Sequence, residues 1–232
     1  MRNADRQAIR DLPLFADVDE QRFDELLNAA YVQRIPAHVD LIREGEPADF
    51  LYVVIEGSVE LFSSSHGRDS SMAIVTPIST FILAATIKDA PFLMSARTVA
   101  PSKLLLIPSV NIRAVFEADT RFARAIVTEL ATCYRGVVKS MKNLKLRTAV
   151  ERVGNYIIRL QDKSGGADVV ELPYGKKILA SILGMTPENL SRAFGALQSH
   201  GIVVDGPSIE IIDRTALEAC CKPNPLIDDP RS

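Results

Sequence analysis

The sequence predicts an α+β chain in three parts: a β-rich N-terminal domain, one long helix, and a C-terminal winged helix-turn-helix. Three observations carry this expectation. Between Arg34 and Pro108, short strand-like runs alternate with Gly and Pro breaks. From about Asp119 to Leu146, a helical apolar pattern runs without Pro or a turn cluster. Residues 175–212 then hold two short helical stretches around Gly184, followed by a hairpin pattern. The expected boundaries are 1–118, 119–146 and 147–232.

A helix is expected from Asp19 to about Ala30, where Phe23, Leu26, Leu27 and Ala30 recur at helical spacing. The strand-like runs are Val39–Ile42, Phe50–Ile55, Val59–Phe62, Ala73–Val75, Ser95–Val99 and Lys103–Ile107. Gly45-Glu46-Pro47, Gly57, His66-Gly67, Pro77 and Pro101 break them at intervals that suit a sandwich or roll. In the long helix, Ile126, Leu130, Cys133, Val137, Ser140 and Leu144 follow alternating steps of four and three, a coiled-coil seam. Phe122 extends that stripe, and Val127, Tyr134 and Val138 form a second one. A helix apolar on two faces can pack on its own domain and on a second copy, so a homodimer is expected. The helical pattern continues through Arg147–Gln161, and Val169–Leu172 reads as a short strand.

Composition narrows the class. Hydrophobic residues make up 47% and charged residues 24%, an ordinary globular balance. No apolar run approaches the roughly 18 residues needed to span a bilayer. The N-terminus is charged where a signal peptide would be apolar, so the cytoplasm is the expected compartment and no membrane partner is expected. Net charge is −2 but unevenly spread: residues 1–134 carry 13 Lys and Arg against 18 Asp and Glu, and residues 135–200 carry 11 against 5. A basic block inside an acidic chain suggests a local surface for a polyanion, although Lys139, Lys142 and Lys145 also fit a solvated helix face. Three cysteines give neither a disulfide framework nor a CxxC pair. Cys133 reads as a small core hydrophobe, and Cys220-Cys221 as a packing detail.

The sharpest pattern is GKKILASILGMTPENLSRAFGALQSHGIVVDGPSIEII. Lys176–Leu183 suits one helix, Gly184 a tight corner, and Thr186 an N-cap with Pro187 at the first helical position. With Leu190, Phe194 and Leu197 inward, the outer face of the second helix carries Glu188, Asn189, Ser191 and Arg192. Such a helix presents its N-terminal side chains to the major groove. Arginine can bond guanine O6 and N7, and glutamate can accept from cytosine N4. The expected DNA-binding residues are Thr186, Glu188, Asn189, Ser191 and Arg192 on bases or register, with Lys176 on phosphate. Ile202–Val204 and Ser208–Ile212 read as the wing.

These motifs, with Leu14-Phe15, Arg43-Glu44-Gly45-Glu46-Pro47-Ala48 and Leu51–Val59, make the chain resemble the Crp/Fnr family of bacterial transcription regulators. The resemblance implies a double-stranded, cyclic-nucleotide-binding-like β-roll, a dimer on palindromic double-stranded DNA, and RNA polymerase as a further partner. Glu188, Ser191 and Arg192 are similar to the Fnr-type recognition pattern, which implies a TTGA-like half-site.

Two departures bear on the effector. The cyclic-nucleotide branch of the family has Gly-Glu and a phosphate-pairing Arg where this chain has Leu83, Ala84 and Met94. A thioether cannot supply the charge-assisted bonds that a phosphate needs. Arg97 is near in sequence, but in a strand it would face away from Met94, and Ser95 lies between them. Leu83, Ala84, Met94, Ser95 and Arg97 therefore form a candidate effector region for which cyclic AMP is not expected. A hydrophobic ligand, a haem, or no small ligand remain open. No cysteine precedes Cys133, which argues against an iron–sulfur cluster. Haem would need an axial ligand, and the sensor offers His38 and His66 in apparent turns; no other metal ligands are singled out. No catalytic constellation is visible, so an enzyme is not expected. The alternative readings are a protein-interaction adaptor, or a regulatory module built on a cyclic-nucleotide-like roll.

Overall fold

The computed structural model describes residues 3–229, which divide after Cys133 into two compact units. The long helix is thus no separate body, as the division at 119–146 supposed: each end belongs to one unit. The outermost residues of the expected ranges, 1–2 and 230–232, lie outside the described residues.

The first unit is a roll of two antiparallel four-stranded sheets. Its strands are β1 (Tyr31–Ile35), β2 (Asp40–Ile42), β3 (Phe50–Glu56), β4 (Val59–Ser65), β5 (Arg68–Val75), β6 (Ser79–Phe81), β7 (Ser95–Thr98) and β8 (Ser102–Pro108). One sheet runs β1-β8-β3-β6 and the other β2-β7-β4-β5. Its helices are α1 (Asn3–Arg10), α2 (Glu20–Asn28), α3 (Leu83–Lys88), α4 (Ser109–Ala118) and the first half of α5 (Thr120–Leu146).

β3 and β8 are almost continuously apolar because each is buried on both sides. Leu51, Val53 and Ile55 of β3, with Leu105 and Ile107 of β8, join Ile9, Phe15, Phe23, Ile112 and Phe122 in a core beneath the helices. Tyr52, Val54, Leu104 and Leu106 point the other way, into the layer between the sheets, against Val59, Leu61 and Ala96. Alternating side-chain direction along a strand produces this two-core arrangement. Asp19 caps α2 by accepting from Gln21 and Arg22 N–H groups. Asp119 caps α5 through the Arg121 N–H (2.8 Å) and also accepts from the Asp19 N–H (3.0 Å).

Two expectations for α5 are corrected. Ile126 is only 1% exposed and belongs, with Phe122, to the sensor core, so it is not part of a free seam. Cys133 is exposed rather than a core residue. The physical reason is a helical offset of one residue: the side of α5 that covers the roll takes Phe122 and Ile126 and leaves Val127 outward. The exposed stripe is Val127, Tyr134, Val137, Met141 and Leu144, 46–70% exposed, with Leu130 half-buried against the core. Its steps are again three and four, and it shares Leu130, Val137 and Leu144 with the expected seam.

The second unit contains the end of α5, α6 (Ala149–Lys163), β9 (Val169–Glu171), α7 (Lys176–Ile182), α8 (Pro187–Gln198), β10 (Ile202–Asp205), β11 (Ser208–Ile211), α9 (Arg214–Cys221) and α10 (Pro225–Asp228). The helical run expected to continue from Arg147 to Gln161 is interrupted. α5 ends at Leu146, and Thr148 starts α6 with a reciprocal capping box to Glu151. Those side-chain bonds satisfy N–H groups that would otherwise bond back into α5. Val153, Ile157, Leu179, Leu190, Phe194, Leu197, Ile209 and Leu217 form the core. Cys221 is buried over Gly154, where any larger side chain would collide with it. Burial, then the neighbouring Cys220, pushes the Cys221 thiol up to about 12. Among the described residues no helix is long and apolar enough to cross a membrane.

Candidate nucleic-acid interface

Helices α7 and α8 meet at Gly184, whose φ of +63° is strained for residues with a Cβ. A Cβ there would also meet the terminal Cδ2 methyl of Leu144 of α5, which can swing aside, so the positive φ is the reason this corner takes glycine. Thr186 then caps α8, accepting from the Asn189 N–H at 3.3 Å. Leu190, Ala193, Phe194 and Leu197 are buried, which fixes the rotation of α8 about its axis.

That rotation leaves Thr186, Glu188, Asn189, Ser191 and Arg192 all exposed on the N-terminal part of α8. The hydrogen bond from Thr186, then its own backbone N–H, holds the Glu188 carboxyl below the usual carboxylate range, with the charge of Arg192 contributing. Glu188 is therefore a settled acceptor at neutral pH. Arg192 makes no hydrogen bond or salt bridge among the described residues, leaving its planar donor fork free. Lys176 is exposed at the start of α7, beside Lys177, a second exposed cation that the sequence reading did not single out. On α8, Gly195, Ala196 and Ser199 continue the exposed face beyond Arg192. Their small size gave no chemical signal, yet it keeps the helix surface open to close approach. The wing forms as β10 and β11, paired from Ile202↔Ile211 to Asp205↔Ser208, with β9 completing a three-stranded sheet.

The effector region is arranged differently from the expectation of a common lining. Leu83 is buried in the core beneath the helices, whereas Met94 packs on the layer between the sheets. Ala84 is exposed, and the Ser95 hydroxyl accepts from the Glu44 N–H at 3.0 Å. Arg97 is already engaged. It donates to Glu60 at 2.6 Å and to Asp69 at 2.9 Å, and its guanidinium lies 4.2 Å from the centre of the Phe62 ring. Glu60 is 2% exposed and also accepts from Ser71. Register explains the pairing, because Glu60 of β4 sits directly across from Arg97 of β7. His38 and His66 are exposed at positive-φ turn positions, and no grouping of three or more His, Cys, Asp or Glu that could hold a metal occurs among the described residues.

Comparison with known proteins agrees with this two-unit reading. Residues 32–119 match the cyclic nucleotide-binding domain family, and residues 151–220 match the Crp-like helix-turn-helix domain. The CRP-like cAMP-activated global transcriptional regulator of Mycobacterium tuberculosis is 22% identical over 88% of this chain and 94% of its own length. The nitrogen fixation regulation protein FixK of Rhizobium meliloti is 28% identical over 40% of this chain, an alignment that spans 46% of FixK. In fold, the chain is similar to FixK2 from Bradyrhizobium japonicum, with a TM-score of 0.69, 23% identity, and coverage of 82% of this chain and 96% of that one. A cyclic-nucleotide-binding-type roll followed by a Crp-like winged motif, in this order and over these residues, places the chain in the Crp/Fnr family of DNA-binding transcription regulators, a family of regulators rather than enzymes.

Proposed function

We propose that the chain acts as a homodimer that reads a TTGA-like palindrome and responds to an effector other than cyclic AMP. The observation that carries the DNA reading is the free Arg192 guanidinium beside an ionised Glu188 and the Ser191 hydroxyl on the exposed start of α8. These groups match guanine and cytosine edges in the major groove. Lys176 supports the assembly as a phosphate contact, which positions without specifying. The dimer rests on the exposed Val127, Tyr134, Val137, Met141 and Leu144 with the half-buried Leu130 between them, whose steps of three and four suit a parallel helix pair. RNA polymerase is the proposed partner at a promoter.

The effector reading rests on Arg97. Its charge is already met by Glu60 and Asp69, and an incoming phosphate would have to displace two carboxylates. Met94, Leu83 and Ala84 offer no replacement cation. Haem, through His38 or His66, or an apolar ligand, remains within this proposal, and an absorbance spectrum of the purified protein distinguishes haem from the rest. Binding to TTGA-palindrome and scrambled duplexes, across a salt series and with or without cyclic AMP, is the main test. The expected result is selective, salt-sensitive binding that cyclic AMP leaves unchanged. Equal affinity for both duplexes would overturn the DNA reading, and tightening by micromolar cyclic AMP would overturn the effector reading.

A further inference from the structure

The joint between α5 and α6 is only two residues long, Arg147 and Thr148. Two residues carry four soft backbone dihedrals, enough to swing one helix against the other unless side chains fix them. At this joint they do. Arg147 is nearly buried, with 6% of its side chain exposed, and is held by the Asp228 carboxylate, itself 11% exposed. The same carboxylate accepts from Arg159 of α6 at 2.8 Å. Arg147 also donates to Asn143 of α5 at 3.1 Å, and Lys139, one turn earlier, donates to the Asp229 carbonyl at 2.8 Å. The Asn224 N–H, at the cap that starts α10, donates to Asp228 at 2.8 Å and sets the carboxylate's direction. On the α6 side, Asn155 donates to the Cys221 carbonyl at 2.7 Å, where the segment leaves α9.

One short segment, residues 222–229, therefore touches α5, the joint and α6 together. It lies after the residues that match the Crp-like helix-turn-helix family, which end at 220. Arg152 adds a second brace, donating to the Arg147 carbonyl at 2.9 Å and to the Leu144 and Gly184 carbonyls at 3.3 Å. The core of this unit does not need the segment, since its buried residues end at Cys221.

We propose that residues 222–229 form a strap across the α5–α6 joint and that Asp228 is a positioning residue for DNA reading. By pinning the joint, it sets the angle at which the winged motif leaves the helix, and so the separation of two such motifs in a dimer. The inference rests on dimerisation through α5 as proposed above. The strap touches none of the base-reading residues, so its effect falls on spacing and not on base choice. Half-sites read by paired recognition helices lie one helical turn, or a multiple of it, apart, and a pinned joint makes the chosen spacing strict.

The test compares the wild-type chain with Asp228→Asn, Asp228→Glu and a chain ending at Pro223. Each is measured on palindromes with the native spacer and with spacers one base pair longer or shorter, and on the native spacer with one mismatched half-site. The wild type is expected to favour its native spacer by roughly tenfold or more, part of the about 100-fold or greater gain that linked binding gives when geometry allows both sites to engage. Asp228→Asn and the shortened chain should lose most of that preference and keep the mismatch discrimination; Asp228→Glu should restore part of it. Unchanged spacer preference in both Asp228→Asn and the shortened chain would overturn the strap. Loss of mismatch discrimination along with spacing would also overturn it, because the carboxylate would then be holding the winged fold itself. A wild type that binds as a monomer would instead remove the dimer reading on which the strap depends.

Discussion

The two halves of α5 share one apolar rhythm and meet opposite surroundings. In the first half, Phe122 and Ile126 are fully buried in the sensor core. In the second, Tyr134, Val137, Met141 and Leu144 stand 46–70% exposed. Steps of three and four therefore mark a face that must be covered, without saying what covers it. Near the roll the cover is the chain's own β3, β8 and α4; past Cys133 the stripe stays exposed among the described residues, and a second copy is the proposed cover.

The largest effect should come from breaking the exposed half. Met141→Asp or Val137→Asp should yield monomers in sedimentation and weaken palindrome binding about 100-fold or more, the scale lost when linked binding becomes single-site. Thermal unfolding of the sensor should not change. Dimers persisting in both variants would place the interface elsewhere. Ile126→Ala is the converse experiment: it should cost about 2–5 kcal/mol of sensor stability by opening a cavity, and leave the stripe that pairs the copies intact. If it instead abolished dimers while denaturation stayed unchanged, the two halves would have exchanged roles.

Smaller effects test the ends of the arrangement. Arg192→Ala should cost about 1–3 kcal/mol on the matched operator and relax the preference at one G·C pair per half-site. Competition with single-base operator variants reads this directly, and retained discrimination would remove Arg192 from the reading face. The smallest effect concerns pH. Burial alone would raise the Asp228 carboxyl, but hydrogen bonds from Arg147 and the Asn224 N–H, with the charges of Arg147 and Arg159, bring it below the usual carboxylate range. A lowered value means the folded state favours the ionised form. Its stabilisation is full above the ordinary carboxylate range and is lost as pH falls through the lowered value. The stability difference between wild type and Asp228→Asn should accordingly be greatest near neutral pH and shrink on acidification. A difference that stayed constant from neutral to strongly acid pH would show that the carboxylate's charge contributes nothing.

Much of this was legible locally. The uninterrupted apolar runs Leu51–Ile55 and Leu104–Ile107 announce strands buried on both faces. Gly184, Thr186 and Pro187 place a corner and a helix start within a few residues, and Leu190, Phe194 and Leu197 then assign the outer face of α8. The joint after Leu146 was harder to see, because Thr148 and Glu151 form a capping box inside what otherwise reads as one long helix. The expected seam fails at Ile126, which the sensor core buries, since two interleaved stripes satisfy the same spacing. β1, β6 and the helices α1 and α4 are short or mixed in character, and packing on the roll stabilises them more than their own pattern does.

The sequence by itself determined the order of elements, the winged motif, and which side chains of α8 face outward. These depend on contacts within a few residues, where spacing, caps and glycines act directly. Only the tertiary structure decided which stripe of α5 is free, that Arg97 is neutralised by Glu60 from another strand, and that Asp228 reaches back to Arg147. Each of those pairs joins residues distant in sequence, and long-range pairing is set by how sheets and helices close around a common core, which no local spacing encodes.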